Sequence, residues 1–148
     1  MAIAASALLG KKTFHVETTI PAPPSAVWSV LTDGAAYQDW NPVFIGVQGE
    51  YREGAKVTNF VRQPNGETLE IVATVSRMVP ERELRQKGGV PGILTFDHQW
   101  LLEPVEGGTR VVQHEVDRGL GLWFWNSDWI EPAYSDVLDA LSKRLAEQ

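Results

Sequence analysis

The sequence predicts one α+β domain in which a mostly antiparallel, seven-stranded sheet wraps around a long C-terminal helix. Three observations carry this prediction. Residues 13–117 hold seven segments with strand patterns, interrupted early by two short helical segments. Residues 95–102 alternate strictly, with large apolar side chains and one histidine on one face, as in a strand with one buried face. Residues 129–145 carry a single apolar stripe at helical spacing.

The early elements are bounded by prolines. Residues 13–20 alternate as a first strand that stops at Pro21. Pro24 suits the first turn of a helix predicted over residues 25–32. Residues 37–40 predict a short helical turn that Pro42 ends, because the residue before a proline is pushed out of the helical region.

Turn residues separate the six strands that follow. The turns are marked by residues 64–66 (Pro-Asn-Gly), by a glycine-rich loop at residues 88–92, and by Gly107 and Gly108. The predicted strands are residues 43–49, 56–62, 68–78, 83–87, 94–103 and 109–117.

The closing helix must cover a sheet that is wider than the helix itself. Its stripe consists of Trp129, Ala133, Val137, Leu141 and Leu145. Pro132 should lie in the first turn of this helix or kink it. A twisted seven-stranded sheet exceeds the ~10–12 Å diameter of one helix. Wrapping one around the other therefore leaves a gap that side chains, water or a ligand must fill.

Length and charge narrow the function classes. The chain of 148 residues predicts a single domain over residues 13–148. Residues 1–12 are expected to form a mobile tail, because their lysines follow the apolar stretch instead of preceding it as in a secretory signal. A net charge of −6 argues against a nucleic-acid partner. The absence of cysteine fits a cytoplasmic chain, and no segment reaches the ~20 apolar residues of a membrane span.

Three motifs carry a resemblance to a known superfamily. They are VWSVLT at residues 27–32, YQDWNP at residues 37–42 and GGTRV at residues 107–111. Together and in this order, they resemble the START/Bet v 1-like superfamily of helix-grip proteins, which includes polyketide cyclase-like and lipid-transfer members. The likeness is greatest to an uncharacterised bacterial subgroup with Trp-Asn-Pro after the second helix, and it spans about residues 13–146. It implies a helix-grip fold with a cavity between the sheet and the C-terminal helix.

The resemblance leaves three classes of function open. We favour binding of a hydrophobic small molecule (a lipid, a polyketide or an aromatic metabolite) in the cavity, without a cofactor. The alternative is a cofactor-independent cyclase or dehydratase that uses His98 and Glu115 as acid and base. The third is an interaction protein that assembles, for instance as a homodimer, through residues 123–129.

Ten residues are expected to contact the ligand. They are Trp40, Phe44, Phe60, Phe96, His98, Trp100, Gln113, Glu115, Trp125 and Trp129. His98 shares a strand face with Phe96 and Trp100, so its ring should be buried. Such a histidine either pairs with a neighbour in the core, contacts the ligand, or exchanges protons with it.

The last strand allows two registers. Its apolar residues Val112 and Val116 predict that His114 points inward. The resemblance instead implies that Gln113 and Glu115 point inward, and we favour this register. An inward-facing Glu115 needs a partner, for which His98 and Arg62 are the candidates.

Residues 123–129 hold four large aromatic side chains beside two glycines. They are too many for one helix face, so some must line an opening or be exposed. We rank a lid over the cavity first, a dimer interface second and a membrane-touching edge third. Metal binding is not expected, because the three histidines lie on separate strands without ligand spacing. No sequence motif for nucleophilic catalysis or for phosphate or dinucleotide binding is found.

Overall fold

The computed structural model describes residues 10–148, so most of the tail predicted over residues 1–12 lies outside the described residues. Within residues 10–148, seven strands form one antiparallel sheet in the order β1-β7-β6-β5-β4-β3-β2. The elements, in chain order, are β1 (Lys11–Ile20), α1 (Pro24–Thr32), a 3₁₀ helix (Gly34–Asp39), β2 (Phe44–Gln48), β3 (Lys56–Arg62), β4 (Thr68–Val79), β5 (Glu83–Val90), β6 (Leu94–Val105), β7 (Gly108–Arg118), a further 3₁₀ helix (Leu120–Trp123) and α2 (Ile130–Ala146). The first strand thus begins two residues before the predicted start.

Helix α2 lies against the concave face of the curled sheet, which confirms the predicted helix-grip fold. Val137 and Leu141 on its predicted stripe are fully buried, and they join one core cluster with residues of α1 and of the strands. Pro132 lies in the first turn, as expected. The carboxylate of Glu131 accepts a hydrogen bond of 2.9 Å from the backbone N–H of His15, which ties the start of α2 to β1. No helix in residues 10–148 has the length and apolar character needed to cross a membrane.

Strand β5 is longer than the sequence predicted. The expected loop at residues 88–92 is replaced by paired backbone as far as Val90, opposite Leu94 of β6. Gly88 allows this pairing because a Cβ atom there would lie 2.6 Å from the carbonyl oxygen of Val72 and 2.7 Å from the Phe96 ring. The glycine therefore continues the strand beneath an aromatic ring instead of ending it.

Candidate functional site

A cavity of about 670 Å³ lies between the concave face of the sheet and α2. The inward side chains of β3 to β7 form its floor, the start of α2 forms its roof, and two tryptophans from the segment between β7 and α2 also line it. Its volume is in the range of small-molecule sites, which is roughly 300–1,000 Å³. The gap expected from the widths of sheet and helix is therefore present as a ligand-sized space.

The structure brings most of the predicted site residues to this cavity. Seven of the ten line it, namely Phe44, Phe96, His98, Trp100, Glu115, Trp125 and Trp129. Gln113 is fully buried and lies beneath the cavity wall, where it bonds to His98.

Phe60 and Trp40 do not line the cavity. Side chains alternate along β3, and its buried positions are Val57, Asn59 and Val61. Phe60 therefore points to the other face of the sheet. Trp40 follows the first 3₁₀ helix and packs edge-on against Tyr37, with ring centroids 5.3 Å apart, so it contributes to the core beside the cavity.

One edge of the cavity is bordered by β4 and β5 near the end of their pairing. Their pairing ends at Thr74 and Lys87, and beyond this point both strands border the cavity. Val72 and Val90, on these two strands, are 57% and 56% exposed. Two exposed apolar side chains therefore border the cavity at this edge.

A polar row crosses the concave face at the level of His98. Gln86 of β5, His98 of β6 and Glu115 of β7 are successive cross-strand partners. Gln86 accepts a 3.0 Å hydrogen bond from the Asn59 side chain, whose oxygen accepts one from the Tyr51 hydroxyl at 3.1 Å. Sequence reasoning missed Asn59, Gln86 and Tyr51 because only the folded sheet brings these distant segments together. Burial raises the pKa of Tyr51 to about 12, so its hydroxyl stays protonated.

His98 is both a paired core residue and a cavity residue. Its Nε2 lies 3.2 Å from Oε1 of Gln113, while the Gln113 amide N–H donates to the backbone oxygen of Tyr134 at 3.1 Å. The latter bond fixes the amide orientation, so His98 Nε2 carries the proton and Nδ1 is the acceptor. Burial lowers the pKa of His98 to about 4. The imidazole is therefore neutral at pH 7.

Glu115 points inward, as the resemblance implied, and is 7% exposed. On the outer face, His114 lies beside His15, with their Nδ1 atoms 3.0 Å apart. The apolar pattern was ambiguous because Val112 points outward and is nevertheless buried. The inward register is therefore confirmed.

The partner of Glu115 is Tyr134, not His98 or Arg62. The Tyr134 hydroxyl donates a 3.1 Å hydrogen bond to Glu115 Oε1, whereas His98 bonds to Gln113 and Arg62 is exposed at the end of β3. Burial raises the pKa of the Glu115 carboxyl to about 8, and the neighbouring charge of Asp117 acts in the same direction. Glu115 is therefore a protonated acid at pH 7.

Asp117 is a cavity residue that the sequence analysis did not predict. It lies two residues after Glu115 on the same face of β7, lines the cavity and is 3% exposed. Burial raises the pKa of its carboxyl to about 7, against the opposing effects of a hydrogen bond with Glu115 and of the Lys12 charge. The sequence does contain a signal for this residue. Asp117 is an acid two positions after Glu115, so the two side chains share the inward face of the strand.

The aromatic segment (residues 123–129) divides between the cavity and the surface. Trp125 and Trp129 line the cavity and pack edge-on, with ring centroids 6.4 Å apart. Phe124 is 91% exposed. The Trp129 indole N–H donates to the backbone oxygen of Asn126 at 3.1 Å. The segment therefore contributes two side chains to the cavity lining and also presents an apolar outer surface.

The fold and cavity define a START/Bet v 1-like protein with space for a small molecule. The chain belongs to the polyketide cyclase/dehydrase and lipid transport family, whose model matches residues 11–146. This match confirms the resemblance found in the sequence. No curated protein matches the chain.

Solved structures share the fold at low sequence identity. An uncharacterised protein from Rhizobium leguminosarum is 20% identical, with a TM-score of 0.72 over 95% of this chain and 97% of its own. A protein from Rhodobacter sphaeroides is 18% identical, with a TM-score of 0.74 over 94% of this chain and 98% of its own. The di-domain ARO/CYC BexL from the BE-7585A biosynthetic pathway is 15% identical, with a TM-score of 0.70 over 93% of this chain and 50% of its own.

Proposed function

We propose that the protein binds a hydrophobic small molecule, such as a lipid, a polyketide or an aromatic metabolite, in the cavity between the sheet and α2. The observation that carries this proposal is the cavity of about 670 Å³ with its aromatic and aliphatic walls. A dry void of this size would cost about 16 kcal/mol at ~24 cal/mol per Å³, which is more than the stability of most domains. The cavity is therefore filled, and an apolar ligand satisfies its walls better than water does.

Two further features support binding. The family is described by its cyclase, dehydrase and lipid transport members, whose names point to hydrophobic ligands. Val72 of β4 and Val90 of β5 are exposed and border the cavity, and exposed apolar residues there suit the passage of an apolar molecule.

The test is titration with Nile red, a neutral apolar dye whose emission increases in apolar surroundings. Ala73 lines the cavity and is buried, so Ala73→Phe places a ring in the space that the dye needs. Ala35, exposed in the first 3₁₀ helix, provides the matched control Ala35→Phe. We expect Ala73→Phe to weaken dye binding at least tenfold and Ala35→Phe to leave it unchanged. Equal affinity in all three proteins would place the dye elsewhere and refute the proposal.

Acid–base catalysis is the second candidate function, favoured by the pairing of His98 with Glu115. The two residues are direct cross-strand partners, and Tyr134 contacts both, through its ring and its hydroxyl respectively. Their environments push their pKa values in opposite directions, a pattern typical of acid and base pairs. In a dehydration, His98 Nδ1 would take the proton α to a carbonyl while Glu115 protonates the departing β-hydroxyl, giving a double bond and water.

A β-hydroxyacyl thioester tests this second candidate. We expect the wild-type protein to form the conjugated product, measured by its ultraviolet absorbance, and Glu115→Gln to lose about 10²–10⁴-fold in rate, the typical contribution of a general acid. His98→Gln should lose activity without losing Nile red binding. A wild-type protein that binds Nile red but leaves the thioester unchanged would contradict catalysis of this reaction and leave the binding function standing.

A further inference from the structure

One oxygen of the Asp117 carboxylate, Oδ1, is a buried acceptor without a hydrogen-bond partner among the described residues. Asp117 is 3% exposed and lines the cavity. A buried acceptor without a partner is unfavourable and rare in folded proteins. The position therefore calls for a donor that the described part of the chain does not supply.

The nearest cation is held by another group. Lys12 is the cross-strand partner of Asp117, and its ammonium donates a 2.8 Å hydrogen bond to the Ser127 hydroxyl. The positive charge of Lys12 stabilises the ionised form of Asp117. Among the described residues, however, Lys12 and Asp117 do not form an ion pair within 4.0 Å. Asp117 is thus compensated in charge, while its buried Oδ1 atom has no donor among the described residues.

We propose that Asp117 is the polar recognition point of the cavity and accepts a hydrogen bond from the hydroxyl group of a neutral hydrophobic ligand, an alcohol or a phenol. This inference rests on the proposed binding function. Phe96 is opposite Asp117 on β6, and Trp125 and Trp129 line the same cavity. The apolar body of the ligand would lie against these rings.

The surrounding charges select a neutral donor over charged ones. A ligand carboxylate would be repelled by an ionised Asp117, because like charges in a buried site repel strongly. A ligand ammonium would approach Lys12, which already balances Asp117. Glu115 is occupied by the Tyr134 hydroxyl, and His98, neutral through burial, adds no charge.

Displacement of Nile red by four naphthalene derivatives tests the proposal. The competitors share one ring system and differ in the polar group: naphthalene, 2-naphthol, 2-naphthoate and 2-naphthylmethylamine. At pH 8, where the Asp117 carboxyl with its pKa of about 7 is mostly ionised, we expect 2-naphthol to displace the dye at about tenfold lower concentration than naphthalene, since a hydrogen bond to a charged acceptor is among the stronger ones. The carboxylate should be the weakest competitor.

Two variants test whether Asp117 is responsible for the advantage of 2-naphthol over naphthalene. Asp117→Leu should abolish the advantage of naphthol over naphthalene while naphthalene binds as well or better. Glu70, an exposed acid that also borders the cavity, gives the control Glu70→Gln, in which the advantage should persist. The ratio of the concentrations of naphthalene and 2-naphthol that displace the dye can be measured with the wild-type protein alone. The proposal therefore stays testable if Asp117→Leu does not fold.

The outcomes separate this inference from the proposed function. If Ala73→Phe leaves the affinity for Nile red unchanged, the dye does not bind in the cavity and the proposed function is refuted. Dye bound in the cavity with equal displacement by naphthol and naphthalene overturns only the role of Asp117. Stronger displacement by the amine, or a naphthol advantage that survives in Asp117→Leu, also overturns it.

Discussion

Replacing Glu115 by glutamine should remove a pH dependence from the stability of the protein. Glutamine has a similar size, keeps an acceptor for the Tyr134 hydroxyl and cannot ionise. The Glu115 carboxyl has a pKa of about 8 in the folded protein, against 4.5 for an unperturbed glutamate. A carboxyl whose pKa rises on folding contributes stability that is present below pH 4.5 and is lost as the pH rises towards 8.

His98 acts in the opposite direction at lower pH. Its folded pKa of about 4 lies below the unperturbed 6.5, so its contribution is complete above pH 6.5 and is lost as the pH falls towards 4. Between pH 4.5 and 6.5, the contributions of Glu115 and His98 to the free energy of unfolding change in opposite directions. Above pH 6.5, of these two contributions only that of Glu115 still changes. Asp117, with a pKa raised to about 7, changes in the same direction as Glu115.

The expected magnitude is measurable. One proton held by the folded state alone gives a slope of about 1.4 kcal/mol per pH unit, so the wild-type free energy of unfolding should fall by about 2 kcal/mol between pH 6.5 and 8. Urea unfolding followed by tryptophan fluorescence at several pH values measures this fall. Glu115→Gln should show less than about half of the fall, whereas Glu70→Gln should behave as the wild type. Identical slopes in the wild type and Glu115→Gln would refute the burial of an ionisable Glu115.

The remaining predictions concern the helix, the aromatic segment and the tyrosine. Leu141→Ala should lower the free energy of unfolding by ~2–5 kcal/mol, because Leu141 is fully buried; a loss under ~0.5 kcal/mol, the range of surface substitutions, would contradict its position against the sheet. Trp125→Ala should weaken Nile red binding and reduce the change in tryptophan emission, while the exposed Phe124→Ala should do neither. If Trp125→Ala changes neither quantity, the segment is not a gate, and an interface with a second copy becomes the better account. Tyr134→Phe removes a hydrogen bond that lowers the pKa of Glu115, so the fall in stability should move to higher pH, and an unchanged midpoint would refute the bond.

The fold could be predicted from the sequence because its signals are local. Alternation along β6, the prolines around α1 and the stripe on α2 each depend on neighbours within about ten residues. The end of β5 was predicted wrongly for a physical reason. Gly88 and Gly89 look like a loop in the sequence, but the packing of Phe96 over Gly88 makes a small residue necessary inside the strand.

The site could be predicted only in part, because its polar contacts join distant residues. Phe60 was expected to contact the ligand, yet Asn59 occupies the inner position of β3. Asn59 can be buried only because Gln86 and Tyr51 bond to it, and that pairing is invisible before the strands are aligned. Asp117 was missed, although the register that places Glu115 in the cavity places Asp117 there as well.

The register of the sheet explains how one face can hold both a core and a polar site. Side chains in the row that includes His98 bond to adjacent groups, so Gln86 and Glu115 stay satisfied although they are buried. The row of cross-strand partners next to His98 on one side contains Trp100. The next row on the other side contains Phe96 and Asp117. Of the polar side chains that line the cavity in these rows, Asp117 alone retains an acceptor without a partner within residues 10–148. A ligand that pairs with Asp117 would therefore complete the hydrogen bonding of a wall that is otherwise satisfied, while its apolar part replaces water against the aromatic rings.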